Sequence, residues 1–196
     1  MTAFMPLAHP ATAATCARAS GAPSLRLGWE IMLDVPGADL TAPHLRLGGA
    51  PAVLVEFPRT QVPASAAEEL FRIRMSGVVP VVAHPERYWG CTAEMVREWR
   101  RVGAAIQMDA TMLLGRTPMA KLARELLAEG LVDVFASDNH DDTRNLAGPY
   151  QWLVEIGAGE QAEMLTRTNP ALLLDGEPLL PVAPIPRERG VMGRLR

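Results

Sequence analysis

The chain has 196 residues, 48% apolar and 21% charged, with a formal net charge of −3. Those figures allow one domain with a sizeable core and exclude a disordered chain. Without a Lys/Arg block or basic–aromatic interleaving, they also give no electrostatic case for nucleic acid.

With only two cysteines, Cys16 and Cys91, and no secretory segment before them, a disulfide framework is unsupported and a reducing compartment is expected. The apolar runs are of strand length, and Met1 to Pro10 lacks the basic start and apolar block of a signal peptide. The expected location is the cytoplasm. Residues 1–24 are poorly defined by pattern, although Ala11 to Ala19 has helical composition, and His9 reads as ordinary surface. From Ser24 to Asp34 large apolar residues alternate with Arg26, Gly28, Glu30 and Met32, a period of two that predicts a strand with Glu30 on its other face. Ala38 to Gly49 is loop-like and carries His44.

A rhythm then sets in. Ala52 to Phe57 reads as a buried strand, and Pro63 to Gly77 as a helix with Ser65 as N-cap. Val78 to His84 is the next strand, in which Pro80 predicts an edge-like or irregular start. Thr92 to Val102 is helical, and Ala104 to Asp109 returns to strand. Thr117-Pro118 opens a helix that Gly130 closes, followed by strand Val132 to Ser137. Two further helices are expected over Tyr150–Ile156 and Glu160–Arg167, then a flexible Pro- and Arg-rich tail over 182–196. Strands alternating with helices at this spacing predict successive βαβ units and a parallel sheet, an α/β fold.

Chemistry gathers at the strand ends. The apolar run Val78-Val-Pro-Val-Val-Ala stops on His84-Pro85-Glu86-Arg87, and Val132-Asp-Val-Phe-Ala-Ser ends on Asp138-Asn-His140. Glu56 and Asp109 close the two strands between and before them. In parallel α/β folds the C-terminal strand ends form one rim where function sits. One such residue alone is more often a helix cap or a satisfied core histidine. Four successive strands ending in potential ligands point to a cation site, because buried carboxylates and imidazoles need compensation. Mixed oxygen and nitrogen donors suit Mn, Fe or Zn better than Mg or Ca.

The segments Leu54-Val-Glu-Phe-Pro58, Ala83-His-Pro-Glu-Arg-Tyr88 and Ala136-Ser-Asp-Asn-His140 resemble the metal-dependent protein-tyrosine phosphatases of bacterial capsule and exopolysaccharide loci, in the polymerase-and-histidinol-phosphatase (PHP) superfamily. The resemblance runs from about Leu27 to Pro181, and His-Pro-Glu-Arg-Tyr is its specific part. It implies a PHP-like metal-hydrolase domain over 25–181, built as an incomplete distorted (β/α)7 barrel with parallel strands and outer helices. It implies a centre of two or three ions, usually Mn2+ (Fe or Zn as alternatives), held by Glu30, Glu56, His84, Asp138 and His140. Arg87 and Arg144 would bind phosphate as planar donors.

The implied activity is hydrolysis of phosphotyrosine by metal-activated water in exopolysaccharide or capsule regulation. The implied partner is a phosphotyrosine protein such as a tyrosine-rich kinase tail. The family opens with a His-x-His strand that this sequence lacks; its histidines are His9, His44, His84 and His140. An N-terminally shortened member is therefore expected, and Asp109 stands where the family pattern leads one to expect an uncharged amide.

Cys91-x5-Arg97 matches the spacing of cysteine-dependent phosphatases, but the interval has no glycine, contains Glu94 and runs into a helix. Cys91 is expected to be structural. Three functions stay open: a phosphotyrosine phosphatase, a PHP-type hydrolase of a small phosphomonoester such as histidinol phosphate, or a non-catalytic remnant that binds without turnover.

Overall fold

The computed structural model describes residues 25–185. Five parallel strands lie side by side in chain order: β1 (Glu30–Met32), β2 (Ala52–Glu56), β3 (Val79–Ala83), β4 (Ala105–Asp109) and β5 (Val134–Ala136). Helices α1 (Ala66–Met75), α2 (Ala93–Arg101) and α3 (Pro118–Ala128) cross from strand to strand, as parallel neighbours require. No connection reverses the winding, so all five C-terminal strand ends face one way.

Side-chain alternation divides the sheet into two faces. Val53, Val55, Phe57, Val82, Ile106, Met108 and Phe135 join the main core with Leu70, Ile73, Val96, Trp99, Ala123 and Leu126 of the helices. The other face is lined by smaller residues, Ala52, Val81, Ala105 and Val134, against Leu173. Leu173 belongs to the last helix of a run: α4 (Ala147–Glu155), α5 (Gly159–Glu163), a π-type turn over Met164–Thr168, and α6 (Asn169–Asp175).

Helix starts follow their caps. Thr92 accepts from Met95 N–H and Thr117 from Ala120 N–H, whereas Ser65, expected to cap α1, makes no side-chain cap bond. Gly130 closes α3 at φ +65°; a Cβ there would lie 2.7 Å from the Val182 carbonyl oxygen, so glycine also admits the chain's return.

Three expectations are changed or sharpened. The first strand is only three residues long, and Leu25 and Leu27 are exposed: the alternation extends further than the partner strand does. Pro80 lies in the central strand, whose start is edge-like on the β4 side, as the proline predicts. Val79 N–H donates to Pro51 O on the β2 side, so Pro80 nitrogen points the other way, and β4 pairing starts only at Val81. The missing donor falls where no acceptor waits.

The third change is at the tail. Val182 and Ile185 are buried, and Ile185 N–H donates to Leu127 O, so packing continues past residue 181. Asn169, fully buried, fastens this segment by donating to Asp133 O and Leu180 O and accepting from Leu180 N–H. The expected helix over 11–19 and His9 lie outside the described residues.

Candidate metal centre

Glu56, His84 and Asp138, at or just past the C-terminal ends of β2, β3 and β5, meet Glu30, the first residue of β1, at one rim. One ligand-type atom each from Glu30, His84 and Asp138 lies within 4.8 Å of the others. His84 Nε2 is 3.0 Å from Glu30 Oε1 and 3.8 Å from Glu56 Oε2. Glu30 Oε1 is buried, and beyond its close approach to His84 Nε2 it meets no hydrogen-bond donor among the described residues, a costly state for a carboxylate oxygen without a cation. Burial raises the Glu56 carboxyl above its ordinary value, and the neighbouring Glu30 charge adds to this, more than His84 and Arg59 offset. Crowded carboxylates around a buried imidazole fit a divalent cation bound by mixed N and O donors.

The local backbone is strained to place two of these groups. His84 has φ +31° and Asp138 φ +46°, a region β-carbon-bearing residues rarely enter. His84 is held there by Pro85, which starts a 3-10 turn, and by Tyr88, whose hydroxyl donates to Ala83 O at 2.6 Å and accepts from Phe57 N–H at 3.2 Å. Burial pushes the Tyr88 phenol well above its usual value, so it stays a neutral brace.

The guanidinium groups stand beside the carboxylates. Arg87 donates to Asp109 through Nη2 and pairs with Asp138 Oδ2 at 2.6 Å through Nη1. Arg144 reaches the same Asp138 oxygen at 3.1 Å and pairs with Asp142 at 2.6 Å. His140 is outside the close triad. Its side chain is 55% exposed, and Nδ1 is 2.9 Å from Asp138 O. With Nδ1–H donating to that carbonyl, Nε2 would be free for a ligand role.

Two residues acquire roles that strand-end position alone does not disclose. Asp109, fully buried, is an orienting group for Arg87; its other oxygen accepts from Thr111 N–H and hydroxyl. Glu86 accepts from Asp109 N–H at 2.8 Å, and burial raises its carboxyl to about 7. The signal for Asp109 was its place in Asp109-Ala-Thr111, an Asx-type cap sequence. Glu86 gave no signal beyond its neighbours in the motif.

Cys91 is structural. Burial, then the Glu86 charge, pushes its thiol up to about 12. Arg97, its spacing partner, pairs instead with Glu94 and Glu129.

The structure is thus a parallel α/β sheet with a candidate mixed-donor metal site, Glu30, His84 and Asp138, on one rim. The model of the family described as capsular polysaccharide synthesis, CpsB/CapC, matches residues 15–175, and the chain belongs to that family. Among its relatives, tyrosine-protein phosphatase YwqE of Bacillus subtilis is 28% identical over 171 residues, covering 84% of this chain and 66% of YwqE.

Putative tyrosine-protein phosphatase CapC of Staphylococcus aureus is 30% identical over 95 residues, covering 46% of this chain and 37% of CapC. A solved chain from the crystal structures of YwqE and Streptococcus pneumoniae CpsB, titled metal-dependent tyrosine phosphatases, superposes with TM-score 0.71 at 24% identity. That match covers 86% of this chain and 71% of the other. The chain thus spans just under two thirds of YwqE and about a third of CapC. Among the described residues, no helix is long and apolar enough to cross a membrane.

Proposed function

We propose that the chain is a metal-dependent protein-tyrosine phosphatase acting on phosphotyrosine proteins in capsule or exopolysaccharide regulation, in the cytoplasm. The observation that carries this reading is the convergence of Glu30, His84 and Asp138 within 4.8 Å, with two guanidinium groups on Asp138. The kinship with YwqE and CapC supports the substrate class, and a tyrosine-rich kinase tail is the partner it favours. The five sequentially ordered strands are read as the later part of a distorted (β/α)7 barrel, within a hydrolase domain over about 25–181.

Glu30, Glu56, His84 and Asp138 would hold the metal, with His140 completing the set through Nε2; Mn2+ fits the donors. A bound divalent cation supplies Lewis acidity and makes water a competent nucleophile near neutral pH. The chain's own residues do the rest. Asp109 holds the Arg87 guanidinium in a fixed plane, and Arg144 approaches Asp138 from the His140 side. A phosphate displacing part of these ion pairs would gain planar, two-point donors. The 3-10 turn braced by Tyr88 keeps His84 in place and resists reorganisation.

His140's position outside the close triad favours one second reading, binding of phosphotyrosine without turnover. Metal analysis of the purified chain, with p-nitrophenyl phosphate turnover in added Mn2+, separates the two. Bound metal with chelator-sensitive turnover lost in His84→Ala supports the phosphatase. Metal and phosphopeptide binding without turnover support the second reading.

A further inference from the structure

We infer that Arg59 and Trp89 form a subsite on the rim of the metal centre for the aromatic ring and acidic flank of a phosphotyrosine peptide. This rests on the phosphatase reading above. Trp89 is 77% exposed, more than any other large apolar side chain among the described residues. Its backbone is firmly held. Trp89 N–H donates to Arg59 O at 2.8 Å, stitching the loop after β3 to the loop after β2. The preceding Tyr88 is locked between Ala83 O and Phe57 N–H, and Gly90 turns the chain away at φ +73°. An indole so exposed on a fixed stretch of backbone contributes little to the core, and aromatic groups beside a catalytic cleft serve as recognition anchors.

Arg59 follows the candidate ligand Glu56 by three residues, close enough for its charge to act on that carboxylate. The other guanidinium groups at the centre are committed: Arg87 to Asp109 and Asp138, Arg144 to Asp138 and Asp142. Among the described residues, the Arg59 side chain makes no hydrogen bond or ion pair, and it is exposed. The loops that leave β2 and β3 therefore carry one exposed indole and one exposed guanidinium without an ion pair among the described residues, tied together by the Trp89–Arg59 backbone hydrogen bond. A tyrosyl ester presents an aryl ring that can stack on the indole; an acidic neighbour in the peptide can pair with Arg59. A seryl or threonyl ester offers no ring.

The test compares kcat/KM of the full chain, loaded with Mn2+, on matched phosphotyrosine and phosphoserine peptides with acidic flanks. Trp89→Ala is expected to lower the phosphotyrosine-to-phosphoserine ratio about fivefold to tenfold, and Trp89→Phe to restore most of it. Arg59→Glu should weaken the acidic-flank peptide and favour a lysine-flanked version. Ratios that do not move in either variant overturn the subsite while leaving the phosphatase reading intact. If the wild-type chain turns over neither peptide, the phosphatase reading falls, and calorimetric titration with the same phosphotyrosine peptide decides the subsite. Weaker binding in Trp89→Ala than in wild type supports it; equal binding, or none in wild type, overturns it.

Discussion

His84 shows what a ligand position costs its backbone. At φ +31° and ψ 58° it occupies the left-handed region, where a β-carbon is strained by about 1–3 kcal/mol. Both His84→Gly and His84→Ala should lose metal, measured by metal content. His84→Gly should unfold at higher urea than His84→Ala, by about 1 kcal/mol, because only glycine relieves the strain.

Cys91 makes the opposite point, a reactive-looking residue that is inert. Its thiol, ordinarily near 9.0, is raised to about 12 by burial. The folded state therefore holds its proton between those values while the unfolded state releases it, so stability falls as pH rises from about 9 to 12. Cys91→Ala should flatten that part of the wild-type stability–pH curve and leave p-nitrophenyl phosphate turnover within about twofold; a dead variant would restore the cysteine route. Sequence made His84, Glu56 and Asp138 legible because apolar strands ending abruptly in ligand types are uncommon. It could not show Asp109 holding Arg87, because that contact joins residues 22 apart through the pairing of β3 with β4.

Elements were legible where local chemistry decides them. Thr92, Thr117-Pro118 and Gly130 each mark a boundary by a hydrogen bond or a dihedral that the residue itself supplies. The length of β1 was not legible, because alternation in residues 25–34 says nothing about how far β2 extends beside it. Pro80 marked the irregular start of β3, but not which neighbour its nitrogen faces, because that depends on the register of two other strands. Asn169 is the clearest tertiary element, opening α6 while clamping the segment around Leu180. Replacing it by alanine leaves buried carbonyls and an N–H without partners, at a cost of about 2–4 kcal/mol, read as a fall in the urea midpoint.

At the scale of the molecule, the proposed metal centre would couple stability to cation binding at the rim's carboxylates. Adding Mn2+ to a hundredfold excess over its dissociation constant should stabilise the fold by about 2.7 kcal/mol, seen as a rise in Tm that a chelator reverses. An unchanged Tm would mean that the rim's carboxylates do not hold a cation at all. The parallel winding was legible from strand–helix alternation, whereas the way α6 covers the inner face was not, since Leu173 carries no mark of which face it meets.

The clamp around Asn169 also bears on how the chain is made. Its partner at Leu180, and the passage of Val182 over Gly130, come from almost the last part of the described chain. During synthesis all five strands leave the ribosome before the residues that fasten α6 and the base of β5. The sheet therefore completes its packing around α6 only after residues 169–182 have been made.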